Sequence, residues 1–585
     1  VDYDGILIDV ARKRISKAVR FQEAYPKNFL AYLLNPRYMD RRLLGNLPRE
    51  TWDSVARDLR ARIGDDDIDH AVAALPAEYR ALRGEHLRRV LRARRDSLPR
   101  AARIFYGYAA EEPEVHATDA AERVEITRNA DATVDVVFYE LNDGERAAEP
   151  YFRRTYYPRE TREIRVMMHG GSDRLRVHGP GRSMTVRVVG GAGNDRMEDE
   201  STGKTVFYDD EGSNDFREGA HTTVSTRPFT PPPVTRGAFR GSAGYSDWGR
   251  TGSLMRAVVG TRPRVGLVVG AGPAYTRYGF RKVPFARKAA LRVLYAPLAN
   301  RWGVEYEATR YRTASPDFFH VVARATEMDQ ERFYGLGNDA PLREGLDTRV
   351  WHRTLSVEPT WNLFLSRRTM LSLGPLARWR EAEVEEGEVL DALRPLGTER
   401  HAVAGAQARV RFDRRDRVGL PRRGSVLRAG VEGYPYFSDG ERYAVADGEL
   451  TTFLSLSDPR TPTLMLRGGG RRVWGDFPFQ DAASIGGVRQ VRGYRSQRFQ
   501  GDAAAYGSVE LRQTVTRAHA FFVKGDLGVV GLADAGRVWL DGDSPGGWHT
   551  SWGGGVYFSF LDGTKVVSAT YARGESGRVY LRFGL

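Results

Sequence analysis

The chain has 585 residues and a formal net charge of +14, a length that suits more than one domain. It contains no Cys, which excludes a disulfide framework, a Cys-containing zinc site and a thiol nucleophile. A mean hydropathy of −0.48 without any long apolar run excludes a transmembrane helix but not a β-barrel, where only alternate residues face lipid.

The basic residues are mostly Arg and are interleaved with Asp and Glu, so no concentrated patch points to nucleic acid. The chain opens Val1-Asp2-Tyr3-Asp4, with neither Met nor a signal peptide. An exported barrel needs such a signal, so further residues are expected upstream.

Residues 1–105 read as a helical segment. Positions 54–63 and 85–98 carry apolar residues at helical spacing among many charges. Asp65, Asp66 and Asp67 read as a capping region before a helix over 68–74. The basic run 88–95 suits a solvated helix face. His70, His86, His116, His169 and His178 are scattered without metal-ligand spacing.

Residues 106–227 turn to short strands, at 124–127, 134–139, 163–168, 184–189 and 205–208. The turns Gly171-Ser172-Asp173, Gly193-Asn194-Asp195 and Gly212-Ser213-Asn214-Asp215 recur after strands. This rhythm fits a small β-solenoid or a meander in a β-rich periplasmic module. Gly190-Gly191-Ala192-Gly193-Asn194-Asp195-Arg196-Met197-Glu198 also fits the calcium-binding nonapeptide Gly-Gly-x-Gly-x-Asp-x-apolar-x. Only one full copy is present, and a tight turn between strands explains it more simply. Should the turns stack, Asp195 and Asp215 are the calcium candidates, with Asp199, Asp209 and Asp210 adding oxygens. No other cofactor is expected.

Residues 228–234 form a linker, because Pro231-Pro232-Pro233 fits neither sheet nor helix. From 235 to 585 the pattern alternates strand by strand without a helical interlude. Trp302, Val304, Tyr306 and Ala308 share one face, and Glu305, Glu307 and Thr309 the other. Val509, Leu511 and Val515 oppose Ser508, Glu510, Arg512 and Thr514; Val579, Leu581 and Phe583 oppose Arg578, Tyr580 and Arg582. One face suits lipid and the other a wet lumen. The fold class is therefore mainly β: a C-terminal 16-stranded antiparallel transmembrane β-barrel, preceded by a small β-rich module and an N-terminal helical segment. The last strand, over 577–585, is expected to pair with the first, within 235–259, to close the sheet. The irregular stretch between Trp474 and Tyr506 reads as one large loop.

That loop contains Ile485-Gly486-Gly487-Val488-Arg489-Gln490-Val491-Arg492-Gly493-Tyr494. Three other elements lie in order around it. These are Phe412-Asp413-Arg414-Arg415-Asp416 with Leu420-Pro421-Arg422-Arg423-Gly424, Ser508-Val509-Glu510-Leu511-Arg512, and Leu532-Ala533-Asp534-Ala535-Gly536. Together they resemble the outer-membrane protein insertase and two-partner-secretion transporter superfamily, the bacterial surface antigen family, over about residues 235–585. The resemblance implies a 16-stranded barrel whose sixth extracellular loop folds into the lumen. Its tip would be Val491, Arg492, Gly493 and Tyr494, and Glu510 and Asp534 would receive Arg492. Leu532 stands where the family's motif has Phe, and the chain ends at Leu585 rather than on an aromatic residue.

Three functions compete. The first is insertion, secretion or export of a protein or lipid client across the outer membrane of a Gram-negative bacterium, with residues 1–230 periplasmic. The second is a membrane anchor for an upstream hydrolase, such as a phosphoesterase. The third is a passive pore. Residues 1–230 lack the βααββ rhythm of the family's usual periplasmic repeats. No catalytic constellation is legible in the chain. The partners implied are outer-membrane lipid and an exported or assembled client, not nucleic acid.

Overall fold

The computed structural model describes residues 37–229 and 247–583, except 263, 344, 418, 457–460, 521–522, 561–562 and 564. The proline cluster Pro231-Pro232-Pro233 and the expected barrel start at Thr235 lie outside the described residues. The chain divides into two compact units, Val1–Gly249 and Arg250–Leu585.

In the first unit the helices Arg49–Arg62 and Leu98–Glu111 pack through Trp52 and Phe105, whose rings meet edge-on at 5.1 Å. Asp65, Asp66 and Asp67 form the first turn of the helix Asp65–Ala73 rather than a cap ahead of it. There the backbone N–H of Gly64 donates to the Asp67 carboxylate at 2.7 Å, and all three anions face the positive end of the helix dipole. Helix continues to Glu111, past the expected boundary at 105, because Tyr106, Ala109 and Ala110 supply one more buried turn.

A parallel β-solenoid follows. Glu163–Gly170, Thr185–Ala192, Thr205–Tyr208 and Thr222–Ser225 stack in parallel in one sheet. The intervening strands Arg174–His178, Arg196–Asp199 and Asp215–Arg217 stack in parallel in the other, beside Glu122–Arg128. Alternation supplies the core between the sheets: Val124, Ile126, Leu175, Val177, Val186, Val188 and Met197 all point inward. The recurring Gly-x-Asp turns stack as well. Asp173 accepts the backbone N–H of Glu122 at 2.8 Å, Asp195 that of Asp173 at 2.9 Å, and Asn214 that of Asp195 at 2.8 Å. Each turn thus satisfies a backbone donor of the turn before it.

The second unit is one antiparallel sheet of 18 strand segments. Arg250–Ser253 and Val258–Arg262 occupy one lateral position, and Gly266–Ala271 and Ala274–Gly279 the next; both of the latter pair with Lys282–Ala296. The 18 segments therefore fill 16 positions. The second of these broken strands is interrupted at Gly272-Pro273, where proline removes a ladder donor.

Trp302, Val304 and Tyr306 are exposed on the outer surface, while Glu305 between them faces inward and accepts from Arg292 at 2.9 Å and Arg262 at 3.2 Å. The same inversion holds at Val509 and Leu511 outside and Glu510 and Arg512 inside. This is the transmembrane pattern, apolar outward and charged inward.

The three longest connections, 333–348, 384–400 and 476–502, lie at one end of the sheet. The last contains a short hairpin, Ala483–Ile485 paired with Phe499–Gly501, where an irregular loop was expected. The chain folds back on itself there because the intervening turn holds Gly486 and Gly487, both at positive φ.

The closing pair expected between 577–585 and a first strand within 235–259 falls partly on residues 235–246, 584 and 585, which lie outside the described residues. The loop 476–502 reaches both ends of the described sheet. Gly493 donates to the Tyr580 hydroxyl at 2.9 Å, and Arg264, just after Val258–Arg262, donates to Gln497 at 3.1 Å. The sheet curls around this loop.

Candidate functional site: the loop inside the barrel

The short hairpin presents the stretch 487–494 to the inner wall formed by Ala503–Ala520 and Val523–Trp539. Val491 is fully buried with Ile485, Phe499 and Val538. Gly536 makes room for it, since a Cβ there would lie 2.6 Å from the Val491 side chain. This is the physical content of the glycine in Leu532-Ala533-Asp534-Ala535-Gly536.

Arg492 is 2% exposed and binds two carboxylates at once. Its Nε and Nη2 donate to Asp534 at 2.7 and 2.6 Å, and its backbone N–H donates to the same group at 3.0 Å. Nη1 donates to Glu510 at 2.5 Å. The other Glu510 oxygen receives Arg512 at 3.0 and 2.6 Å, and Ser508 donates to Asp534 at 2.6 Å. The fork of Arg492 thus makes a bidentate bond to one carboxylate and a single bond to the next. Glu510 and Asp534 are each only 4% exposed. Burial makes every partner necessary, because a lone charge in this space carries a large desolvation penalty.

Gly493 has φ +84°, and any Cβ on it would collide with the backbone of Arg573 and Gly574. Its carbonyl accepts the N–H of Ser576 at 3.1 Å. The Tyr494 ring covers Gly574, and its hydroxyl donates to the Thr550 carbonyl at 3.3 Å. Val491, Arg492, Gly493 and Tyr494 therefore each touch the inner wall, between Ala503–Ala520 and Gly577–Phe583. Arg489, three residues earlier, is exposed and has no ion-pair partner among the described residues.

Sequence reasoning missed the loop's other anchors. Asp481 is buried at its start, where Arg380 donates to it at 3.2 Å and Tyr443 at 2.7 Å. Arg498 donates to Glu575 at 2.6 Å and to the Ala340 carbonyl at 2.7 Å. Gly337 donates its N–H to the Gln500 carbonyl at 2.7 Å, and its neighbour Asn338, fully buried, ties that connection to the wall by accepting the N–H of Val538 at 2.9 Å and donating to the carbonyls of Pro545 and Gly547 at 2.7 and 2.8 Å. Their partners lie far along the chain, and none carries a local signature.

Among known protein families, one match falls on residues 366–559. That stretch is similar to the Omp85 superfamily domain. The matched stretch contains the whole loop 476–502 and both carboxylates that hold Arg492. It also contains the strand-turn-strand motif at 412–424. There Asp416 accepts the N–H groups of Arg417, Arg422 and Arg423 at 3.0, 3.0 and 3.3 Å, and Asp413 pairs with Arg415 at 2.6 Å.

No curated protein matches the chain. Solved structures similar to it include BamA from Haemophilus ducreyi lacking POTRA domains 1–3, at 15% identity and a TM-score of 0.43, covering 57% of this chain and 69% of that one. CdiB from Acinetobacter baumannii is similar at 15% identity and a TM-score of 0.34, covering 57% of each chain. CdiB from Escherichia coli gives 12% identity and a TM-score of 0.37, with 58% of this chain and 61% of that one covered.

The acidic turns of the first unit form a separate cluster. Asp195 is buried at 2%, whereas the Asp215 side chain is 72% exposed and lies 3.7 Å from Arg196. Burial pushes the Asp173 carboxyl up to about 8 and that of Asp209 up to about 7. Among the described residues, no group of three or more His, Asp or Glu is arranged to hold a metal.

Proposed function

We infer that this protein is an outer-membrane transporter or insertase that moves or assembles a protein or lipid client, with Arg492, Glu510 and Asp534 as the latch that seats its lumen loop. The observation that carries the reading is the doubly paired, buried Arg492 inside the stretch similar to the Omp85 superfamily domain. A latch of this kind sets the loop's position without chemistry on the client. The exposed apolar belt, with Trp302, Leu511 and Leu581, suits contact with membrane lipid.

Deletion of the gene tests this. A defined set of outer-membrane or secreted proteins should fall in abundance, restored by the wild-type chain and not by Arg492→Ala. Unchanged outer-membrane and secreted proteomes would sink the reading.

A second reading, the membrane anchor of an upstream hydrolase such as a phosphoesterase, is favoured by one observation. Among the described residues, the first unit is helices and a parallel solenoid rather than a βααββ repeat. Phosphoesterase activity in purified outer membranes that disappears on deletion would support it.

A further inference from the structure

The helix Arg49–Arg62 begins without a cap. Pro48 stands at its N-cap position and has no side chain that accepts a hydrogen bond. Thr51 turns its N–H to the Pro48 carbonyl at 3.1 Å, whereas the N–H groups of Arg49 and Glu50 meet no acceptor among the described residues. Pro48, Arg49 and Glu50 border a cavity of about 230 Å³, whose other wall includes Arg154 and Tyr156 of the strand Phe152–Tyr156.

Arg154 is 8% exposed. Its Nη1 donates to the Gly45 carbonyl at 2.6 Å, and its guanidinium stacks 4.5 Å over the Tyr156 ring. Among the described residues no carboxylate forms an ion pair with it. Glu160, in the same lining, is held by Arg49 at 3.2 Å and by the Tyr106 hydroxyl at 2.6 Å. Glu50, the other acidic residue of the lining, is exposed. Arg154 Nε has no hydrogen-bond acceptor, and neither has the Tyr156 hydroxyl, which is 1% exposed. The two groups sit side by side, and a guanidinium cannot accept from a phenol. A buried cation, a buried hydroxyl and an uncapped helix end thus converge on one cavity, and all three call for an acceptor with negative charge.

We propose that this cavity binds a small oxyanion of the phosphate class, either free phosphate or the phosphodiester of a lipid headgroup. Arg154 supplies the charge, the Tyr156 hydroxyl a second donor, and the first N–H groups of the helix the positive end of its dipole. One guanidinium without a carboxylate suits one negative charge. Glu50 and Glu160 line the same cavity, so affinity should be modest, with a Kd on the order of 10⁻³ M.

Hydrogen exchange on the full chain in a maltoside detergent tests the proposal, comparing sodium phosphate with sodium chloride of equal ionic strength. At about 10 mM, roughly ten times the Kd, phosphate should slow exchange of the amides at 45–51 and 152–161 about tenfold. Dihexanoyl phosphatidylglycerol at the same concentration is the second probe. Slowing by phosphate alone identifies the free ion, and slowing by the lipid alone identifies the headgroup. Tyr156→Phe keeps the ring under Arg154 and should cut the slowing to about twofold, since a hydrogen bond to a charged acceptor is worth roughly tenfold in affinity. Arg154→Gln should abolish it. Arg159→Gln, exposed and outside the lining, should leave it intact. The proposal is overturned if neither probe slows exchange in the wild type, if Tyr156→Phe responds in full, or if Arg159→Gln loses the response.

Discussion

Arg492→Ala removes three side-chain hydrogen bonds to two buried carboxylates. The damage is unequal. Glu510 keeps two bonds from Arg512, whereas Asp534 is left with the hydroxyls of Ser508 and Ser551 and the backbone N–H of residue 492, none of them charged. Breaking one side of a buried ion pair costs about 3–5 kcal/mol, and here the stranded charge is Asp534. Asp534→Ala strands Arg492 in turn, although Glu510 still holds one of its nitrogens at 2.5 Å. The double variant leaves neither charge of the Arg492–Asp534 pair behind. It should therefore be less destabilised than the sum of the two single variants, by roughly 2 kcal/mol. Arg489→Ala, exposed and unpaired, should stay within about 0.5 kcal/mol of wild type. Urea unfolding in detergent micelles, followed by tryptophan fluorescence, measures all four proteins. Additivity within about 0.5 kcal/mol, or equal losses for Arg489→Ala and Arg492→Ala, would refute the latch.

Gly536→Val should overpack Val491 and cost about 1–3 kcal/mol, seen as a lower urea midpoint and faster protease cleavage within 476–502. Asp481→Ala leaves Arg380 without its carboxylate and should cost about 3 kcal/mol or more, against about 1 kcal/mol for Tyr443→Phe, in the same assay. In the first unit, Asp173 and Asp209 have raised carboxyl pKa values. Their contribution to stability is thus full below the unfolded value near 4 and lost as pH rises through about 7 to 8. With chelator present, exchange protection at 163–216 should fall between pH 5.5 and pH 8.5, roughly spanning those values; constant or rising protection would contradict it. The chain should fractionate with outer membranes and migrate faster on gels unheated than boiled, and a soluble monomer would end the barrel reading.

The barrel was legible because strand alternation writes the sheet's two faces directly into residues such as Trp302, Glu305 and Tyr306. The tip residues were legible for another reason: Arg492, Glu510 and Asp534 sit in short motifs that resemble those of a known family, the two carboxylates on neighbouring strands. Asp481, Arg498 and Asn338 were not legible. Their partners are 101, 77 and 200 residues away for the bonds to Arg380, Glu575 and Val538, and only the curvature of the sheet brings them together. The closing ladder was inferred from the general need to satisfy sheet edges. The residues expected to form the start of that ladder, 235–246, lie outside the described residues. In the solenoid the Gly-x-Asp turns announced stacking, but not that Asp209, a strand-end residue, would lie beside Asp195 in place of Asp215.

The acceptors that hold the tip residues Arg492 and Gly493 all come later in the chain than the loop itself. Glu510 lies 18 residues beyond Arg492, Asp534 lies 42 beyond it, and the Tyr580 hydroxyl that receives Gly493 is 87 residues on. A polypeptide cut short before Asp534 carries the cation with only part of its seat, and one cut short before Tyr580 leaves the glycine turn unheld. Full seating of the tip therefore requires Gly577–Phe583 to be in place. Unfinished chains would keep 476–502 accessible to protease, giving quality control a single segment by which to tell a complete barrel from a truncated one.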